Sequence, residues 1–306
     1  SSNMELKVKA DDGQQIWLSK EDIYHGSLIL VNAAHAYLEN TGNKQYLDEI
    51  LQPVLKQREK HFSTKDTTRI ETALPEIAER SEQNSEEFNM DIYDMKLQRR
   101  AVILLNELME KMHGWEHIVP VSAWRPHKEQ QSIWDTSMRE SGREFTETYV
   151  AVPGHSEHET GLAIDLGLKQ DVIDFIRPEF PYEGICQRFR QLAPKYGFIE
   201  RYPKGKEEVT GIGQEPWHFR YVGVPHAEIM TEKGMVLEEY IEFLRGYEYG
   251  KNPYRYCSQG KEIWISYLNA GQSEQICLDA DHKTPRVISG NNVDGFVITE
   301  WSTCRG

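Results

Sequence analysis

Apolar residues recur at helical spacing in some segments of the chain and at strand spacing in others. Residues 90–114 carry apolar side chains on one helical stripe that Gly114 closes, which predicts a helix. The segment from Pro126 to Gly142 predicts a second helix, because proline is favoured in a first turn and glycine just after a last one. The apolar run Leu28–Val31 predicts a buried strand or the edge of one, and "VPVSAW" and "EPWHFRYVG" predict two more strands.

The character of the chain changes near residue 250. Four short runs rich in β-forming residues follow, separated by Gly, Asn and Asp: "EIWISYLN", "QICLDA", "PRVISG" and "GFVITEW". We therefore expect an N-terminal segment over residues 1–15, a main domain over 16–249 and a small β-rich domain over 250–306. The expected fold class is α+β, with a small, mostly antiparallel sheet flanked by helices and a small all-β appendage at the C-terminus.

Composition and charge narrow the range of partners. The 306 residues are 39% hydrophobic and 27% charged, which is ordinary for a globular protein. The net charge of −14 argues against nucleic acid as a partner, because phosphates require a basic surface. No run reaches the roughly 18 apolar residues of a membrane span. The chain begins "SSNMEL" without a signal-peptide pattern, so we expect a trimmed or processed form, with any membrane anchor in a segment absent from this chain.

Candidate chemistry is concentrated in "PGHSEHETGLAIDLG", residues 153–167. In a strand, the second half of this stretch turns its leucine and isoleucine side chains toward a core. Asp165 then faces the opposite way, among residues with almost no side chain. His158 lies just before the strand, where a turn brings it over the same face. A histidine and a carboxylate that converge on open space favour a divalent metal, and zinc above others.

A zinc site that performs hydrolysis needs a third protein ligand and an open position. His218 in "GQEPWHFRYVG" is the candidate, on a strand whose aromatic residues occupy the other face. Glu215 lies just upstream, and a carboxylate near a metal can act as general base. Residues i and i+3 of an unbroken strand face oppositely, so Glu215 needs a bend to reach the site. Pro216 biases Glu215 toward an extended conformation at the start of the strand, where such a bend fits.

These stretches resemble the VanY/VanX-type zinc D,D-peptidases. "SEHETGLAID" is similar to the first signature of that family, Ser-x-His-x-x-Gly-x-Ala-x-Asp, and "EPWHFRYVG" to the second, Glu-x-x-His. "YGFIERYPKGKEEVTGI" and "HGSLILVN" resemble the VanY and VanXY branch, so the resemblance covers roughly residues 16–248. It implies that zinc is held by His158, Asp165 and His218, with Glu215 as the catalytic base.

The resemblance extends to groups around the substrate. "SAWRPHKEQ" is similar to the family's Ser-Gly-Tyr-Arg motif with a Gln five residues after the Arg, which implies that Arg125 is catalytic and stabilises an oxyanion. Ser156 and Gln130 are expected to hold the C-terminal region of the substrate, and Trp217 is a further substrate-binding candidate. The pair "AW" replaces the family's Gly-Tyr before the arginine, a departure that concerns the shape of the pocket.

The function that the resemblance implies is a zinc-dependent D,D-carboxypeptidase. It would remove the terminal D-Ala from peptidoglycan stem peptides that end in D-Ala-D-Ala. Two enzymatic alternatives stay open, because the metal motifs do not separate them: an L,D-carboxypeptidase that trims tetrapeptides, and a dipeptidase that acts on free D-Ala-D-Ala. A third alternative is a non-catalytic, zinc-containing wall-binding module, against which the presence of Glu215 and Arg125 argues.

The expected partner is a peptidoglycan stem peptide or its precursor. Stem peptides lie outside the cytoplasmic membrane, so we expect an extracytoplasmic enzyme, in the cell envelope or secreted. A dipeptidase would instead work in the cytoplasm. The family that the chain resembles includes enzymes of vancomycin resistance.

Overall fold

The computed structural model describes residues 7–8, 15–38, 51–53, 95–281 and 283–302. Helices and antiparallel strands are mixed along the chain, which confirms the predicted α+β class. The strands are β1 (Lys7–Val8), β2 (Gln15–Ser19), β3 (Leu51–Pro53), β4 (Lys96–Gln98), β5 (Ile118–Ser122), β6 (Ala163–Leu168), β7 (Phe198–Tyr202), β8 (Glu215–Tyr221), β9 (Tyr254–Ser258), β10 (Lys261–Asn269), β11 (Gln275–Asp279), β12 (Arg286–Gly290) and β13 (Gly295–Trp301). The helices are α1 (Arg99–Met112), α2 (His127–Tyr149), α3 (Gly184–Leu192), α4 (Glu207–Thr210), α5 (His226–Lys233) and α6 (Leu237–Leu244).

Four strands form the sheet that carries the candidate site. Their order is β5-β6-β8-β7, and all neighbours are antiparallel. The predicted strands "VPVSAW" and "EPWHFRYVG" are thereby confirmed as β5 and β8. Every residue of β6 except the last is buried, so both faces of this strand are covered. A carboxylate on β6 is therefore removed from solvent and requires charged or hydrogen-bonding partners.

Aromatic side chains hold α3 against this sheet. Phe189 of α3 lies edge-on to Phe219 of β8, with ring centroids 4.8 Å apart, and Phe180 contacts both rings. All three side chains are almost completely buried. Edge-to-face pairs contribute about 0.5–1.5 kcal/mol each beyond the burial of their area. The cluster therefore stabilises the strand that carries the second signature.

Three predicted elements differ from the structure. Helix α1 begins at Arg99, because the residues just before it pair as β4 with β3; the predicted start, residues 90–94, lies outside the described residues. The run Leu28–Val31 is buried as expected but forms no strand, since a side chain, Ser289 Oγ, accepts its first N–H. Gly142 (φ 83°, ψ 172°) closes the predicted helix with a kink, but a second helical stretch, which was not predicted, follows it and completes α2 up to Tyr149.

The C-terminal strands form two further sheets, ordered β12-β13-β10-β9 and β1-β2-β11. The four predicted runs are β10 to β13, and β9 is a strand that the sequence analysis did not predict. Strand β2, near the N-terminus, pairs with β11 from Gln15 opposite Asp279 to Ser19 opposite Gln275. Buried side chains from both ends of the chain form one core: Ile16, Leu18, Ile23, Leu278, Phe296 and Ile298.

The chain divides into two compact units. Of the described residues, one unit contains 32–37, 51–53 and 95–236, and it holds the site sheet. The other contains residues 7–8, 15–31 and 38 and the described residues from 237 onward. This division differs from the boundaries predicted at residues 16 and 250. The reason is the pairing of β2 with β11, which groups the N-terminal strand with the C-terminal ones.

A pair of glycines tests how tightly the site sheet is packed. Gly197 (φ +86°) and Gly205 (φ +88°) both have left-handed backbone, but a Cβ at 197 would lie 2.7 Å from the Tyr221 ring, and one at 205 meets nothing within 4 Å. We expect Gly205→Ala to lower the free energy of unfolding by about 1–2 kcal/mol, for the backbone alone. Gly197→Ala should cost about 1–3 kcal/mol more, for overpacking. Urea denaturation measures both, and equal losses would contradict the packing argument.

Candidate active site

Strand register brings the aspartate of the first signature beside the histidine of the second. Asp165 on β6 pairs directly with His218 on β8, and on its other side with Ser122 on β5. Directly opposed residues project from the same face of a sheet. His218 Nδ1 accordingly lies 3.0 Å from Asp165 Oδ1, and both side chains are buried.

A short 3-10 helix, Glu157–Thr160, brings His158 to the same place. Ser156 caps this helix: its Oγ accepts a hydrogen bond from the N–H of His158 at 3.2 Å. The carboxylate of Glu159 accepts in return from the N–H of Ser156 at 3.3 Å. This reciprocal cap fixes a turn that has little length to stabilise itself. His158 Nε2 then lies 3.1 Å from Asp165 Oδ1.

The three residues predicted as metal ligands are brought together. One ligand atom each of His158, Asp165 and His218 lie within 4.8 Å of one another, and all three side chains are buried. Across the described ranges, no other group of three or more His, Cys, Asp or Glu is so placed. Two imidazoles and a carboxylate form a donor set that suits catalytic zinc, which keeps a fourth position open. The donor set therefore fits the metal, and its role as ligand stays a prediction.

Hydrogen bonding determines which nitrogen of His158 faces this group. His158 Nδ1 lies 2.7 Å from the carbonyl oxygen of Ala123, which can only accept a hydrogen bond. Nδ1 therefore carries the proton, and Nε2 presents a lone pair toward Asp165. Burial and the nearby charge of Arg125 lower the pKa of His158 to about 4. The ring is thus neutral near pH 7, the form that binds metals.

His218 is held through its Nε2, whereas His158 is held through its Nδ1. Its Nε2 lies 3.1 Å from Glu157 Oε1, and its Nδ1 faces Asp165. Burial lowers the pKa of His218, but hydrogen bonds with Asp165 and Glu157 outweigh it and raise the pKa to about 9. The contacts with His158, and after them those with His218, hold the pKa of Asp165 well below its usual range despite burial. A cation that binds at Nδ1 of His218 replaces a proton there.

Glu215 reaches the site through an irregularity in β8. Tyr202 of β7 pairs with Glu215, and Glu200 pairs with Phe219, so two steps along β7 span four steps along β8. The extra residues of β8 form the bend that strand alternation required. Glu215 Oε2 lies 3.6 Å from His218 Nδ1. Burial raises the pKa of Glu215 to about 8, where a carboxyl group exchanges protons near neutral pH.

Two buried polar side chains beside the group carry atoms that lack a hydrogen-bond partner among the described residues. These atoms are Arg125 Nε and Gln130 Oε1. The Nε2 of Gln130 is fixed by donation to the Ala151 carbonyl at 2.9 Å, and Arg125 Nη2 lies 3.9 Å from Asp165 Oδ2. A buried unpaired polar atom costs roughly 1–3 kcal/mol. Both atoms are therefore natural positions for contacts with a ligand.

The predicted substrate residues line one cavity with the predicted ligands and the predicted base. Ser156, Gln130 and Trp217 all border it. Apolar and aromatic side chains complete its walls: Ile133, Tyr149, Val150, Phe175, Ile176, Tyr202 and Ile212. The ring of Tyr202 lies 4.8 Å from the His218 ring, centroid to centroid. A polar floor within apolar walls suits a small peptide end.

The sequence analysis missed Glu157. Besides facing His218, its carboxylate accepts hydrogen bonds from Arg201 Nε and Arg220 Nη1, each at 2.7 Å. The two guanidiniums hold the pKa of Glu157 well below its usual range despite complete burial. A signal was present: Arg220 shares a face of β8 with His218 in a strand otherwise rich in aromatic residues. A buried arginine requires an acidic partner, and Glu157 directly precedes His158.

Comparison with curated proteins identifies relatives of the chain. Residues 94–224 match the VanY family, described as D-alanyl-D-alanine carboxypeptidase. The bifunctional D-Ala-D-Ala dipeptidase and D-Ala-D-Ala carboxypeptidase VanXYC of Enterococcus gallinarum is 49% identical over 125 residues, which are 40% of this chain and 66% of that protein. A D-alanyl-D-alanine carboxypeptidase of Enterococcus faecium is 36% identical over 187 residues, 61% of this chain and 54% of that protein. The matches thus span less than two thirds of these relatives.

A solved structure matches nearly the whole chain. The crystal structure of the vancomycin resistance D,D-dipeptidase VanXYg, in complex with a D-Ala-D-Ala phosphinate analog, has a TM-score of 0.77 and is 40% identical. The alignment covers 94% of this chain and 99% of that chain. By both signatures, by their convergence in the fold and by these matches, the chain belongs to the VanY family of D-alanyl-D-alanine carboxypeptidases.

Proposed function

We propose that the chain is a zinc-dependent D,D-carboxypeptidase that removes the terminal D-Ala from peptidoglycan stem peptides ending in D-Ala-D-Ala. One observation carries the proposal: the buried group His158, Asp165 and His218 shares a cavity with Glu215 and Arg125. A three-ligand metal group, a carboxylate base and a guanidinium are the parts that metal-assisted peptide hydrolysis requires. Membership of the VanY family supports the substrate class.

Zinc is the metal that the donor set favours, since imidazoles with one carboxylate and an open position are typical of catalytic zinc. His158, Asp165 and His218 would hold it. When bound, zinc supplies Lewis acidity, which polarises a carbonyl and lowers the pKa of water. Hydrogen bonds hold the rings of both histidines, so the nitrogens that face the metal position are oriented before the metal binds. This reduces the free-energy cost of forming the site.

Glu215 is the proposed general base. Its carboxylate would take a proton from the attacking water and pass it to the leaving amine nitrogen of D-Ala. Arg125 would donate to the oxyanion that forms on the scissile carbonyl, and its Nε lacks a partner among the described residues. Removal of one oxyanion donor typically costs about 10²–10³ in turnover.

Ser156, Gln130 and Trp217 are the proposed substrate-binding residues. Gln130 Oε1 is a buried acceptor without a partner in the described part of the chain, so it suits a donor on the ligand. Ser156 is the N-cap residue of the 3-10 helix that carries His158, so a substrate bound at Ser156 would lie beside the predicted metal ligands. Trp217 supplies an apolar wall to the same cavity.

A dipeptidase acting on free D-Ala-D-Ala is the second candidate. Two relatives favour it: VanXYg is described as a D,D-dipeptidase, and VanXYC as both a dipeptidase and a carboxypeptidase. An L,D-carboxypeptidase would use the same metal group on a tetrapeptide. A wall-binding module without activity would not require the buried base and guanidinium.

We further propose an extracytoplasmic location, since a carboxypeptidase of stem peptides meets its substrate there. A dipeptidase would instead meet its substrate in the cytoplasm. None of the helices in the described ranges has the length and apolarity to cross a membrane.

Zinc should stabilise the folded protein. A ligand that binds only the folded state adds about 2.7 kcal/mol at 100 times its Kd. We expect zinc to raise the Tm of the wild type and a chelator to reverse the rise, whereas His158→Ala should show no rise. His117→Ala removes an exposed histidine outside the cavity and should respond like the wild type. Thermal denaturation measures this, and a full zinc response of His158→Ala would contradict the ligand assignment.

Glu215→Gln should separate metal binding from turnover. The amide keeps the size of the side chain and removes the base, so we expect zinc to stay bound and kcat to fall by about 10²–10⁴. His218→Ala should lose both zinc and turnover. Glu208→Gln, an exposed position in α4, is the matched control and should keep wild-type kcat. Near-normal turnover of Glu215→Gln would exclude Glu215 as the base.

D-Ala release from three synthetic substrates tests the specificity. We expect a pentapeptide stem to release D-Ala in a reaction that a chelator abolishes and added zinc restores. Turnover of free D-Ala-D-Ala in the same assay would establish the dipeptidase activity, and turnover of the tetrapeptide alone would establish the L,D-carboxypeptidase. No release from any substrate, with zinc bound, would refute the proposed activity and favour the wall-binding module.

A further inference from the structure

We propose that Glu157 is a positioning residue of the metal centre. Its carboxylate fixes the ring of His218 and offsets the charges of Arg201 and Arg220, and through both effects it sets the affinity for the cation. The inference rests on the proposed zinc-dependent function and adds a residue that does not itself bind metal or substrate.

Both oxygens of the carboxylate are engaged. Oε1 lies 3.1 Å from His218 Nε2, and Oε2 accepts from Arg201 Nε and Arg220 Nη1 at 2.7 Å each. The side chains of Glu157 and both arginines are 0% exposed. Rotation of the carboxylate would break a charge-assisted hydrogen bond away from water, where such a bond is strong. Glu157 is therefore a fixed acceptor for the histidine.

This fixed acceptor determines which nitrogen of His218 faces the predicted metal ligands. The Nε2–H donates to Glu157, so Nδ1 lies on the side of Asp165, where a cation binds by replacing its proton. A ring flipped by half a turn would lose this donation to a charged acceptor. The Tyr202 ring, 4.8 Å from the imidazole, also limits its motion. Carboxylates that accept from a ligand histidine raise its basicity and hold its orientation.

Glu157 also reduces a conflict of charge. Arg201 on β7 and Arg220 on β8 are buried cations. Both contact the carboxylate of Glu157, which also contacts His218, a predicted metal ligand. Like charges repel strongly where the dielectric constant is low. The carboxylate stands between the guanidiniums and His218, so it offsets their repulsion of an incoming dication.

The two histidines differ in this respect. His158 donates to a neutral carbonyl, that of Ala123, whereas His218 donates to a charged carboxylate. Within the described chain, His218 therefore depends on an ionised hydrogen-bond acceptor, and His158 does not. This asymmetry makes the inference specific to Glu157.

Glu157→Gln in the full chain is the direct test. The amide keeps the size of the side chain and removes its charge. We expect the zinc Kd, measured by competition with a chromophoric chelator, to rise by about 10- to 100-fold. The visible absorption spectrum of the cobalt-substituted variant should also shift, because a differently oriented imidazole changes the ligand field. At saturating zinc, KM should stay at the wild-type value, since Glu157 acts through His218.

Glu200→Gln is the matched control. Glu200 also lies on the site sheet and pairs with a largely buried arginine, Arg190, at 3.4 Å. Its carboxylate contacts Tyr182 and Arg190, and neither of these is a predicted metal ligand. We expect this variant to bind zinc with wild-type Kd and to give the wild-type cobalt spectrum. Equal losses in the two variants would show a general effect of removing a carboxylate that pairs with an arginine and would overturn the proposal.

Circular dichroism of the metal-free variant shows whether Glu157→Gln folds. If it does not fold, a measurement on the wild type tests the proposal instead. In ¹H–¹⁵N spectra of the histidine-labelled, zinc-loaded protein, His218 should be protonated on Nε2 with slow exchange, and His158 on Nδ1. Protonation of His218 on Nδ1, or an unchanged zinc Kd in folded Glu157→Gln, would overturn the proposal. A wild type that binds zinc but hydrolyses no substrate would refute the proposed activity and leave the Glu157 assignment standing.

Discussion

Charged groups buried in one small volume must compensate each other, and the rest of the site depends on this constraint. The transfer of an ion from water into a protein interior costs several kcal/mol unless partners replace the solvent. Here the carboxylates of Glu157 and Asp165 face Arg201, Arg220 and His218 at 2.7–3.1 Å. These contacts exist only in one strand register. A slip of one residue between β6 and β8 would turn Asp165 or His218 to the other face and break the contact between them.

The same burial separates the protonation states of groups that lie within a few ångströms of each other. The pKa of His158 falls to about 4, whereas hydrogen bonds to two carboxylates raise the pKa of His218 to about 9. The pKa of Asp165 is lowered, and that of Glu215 rises to about 8 because it has fewer compensating contacts. Neighbouring carboxylates with such different proton affinities suit different tasks. Asp165 suits a permanent negative charge, and Glu215 suits a group that gains and loses a proton.

The sequence predicted those parts of the site whose residues lie close together along the chain. His158 and Asp165 are close in sequence, and the alternation of β6 follows from its residues. The pairing of β2 with β11 could not be predicted, because it joins segments about 260 residues apart and no periodicity encodes the partner of a strand. The early start predicted for α1 failed for a related reason: Leu97 suits a buried helix face and a buried strand equally, and β3 decides between them. Glu157 was missed because its partners lie on β7 and β8, and the requirement of Arg220 for an acidic partner does not say which carboxylate meets it.

The relation between Glu215 and His218 shows why a break in a pattern can itself indicate function. A regular strand places residues three apart on opposite faces, and yet Glu215 Oε2 lies 3.6 Å from His218 Nδ1. The fold resolves this by placing four steps of β8 against two of β7. Such an irregularity gives up regular ladder hydrogen bonds, and Pro216 reduces that loss because proline has no N–H to donate. The proline is therefore part of the site: it sits where the strand must depart from regular pairing to bring a proposed base and a predicted ligand to one point.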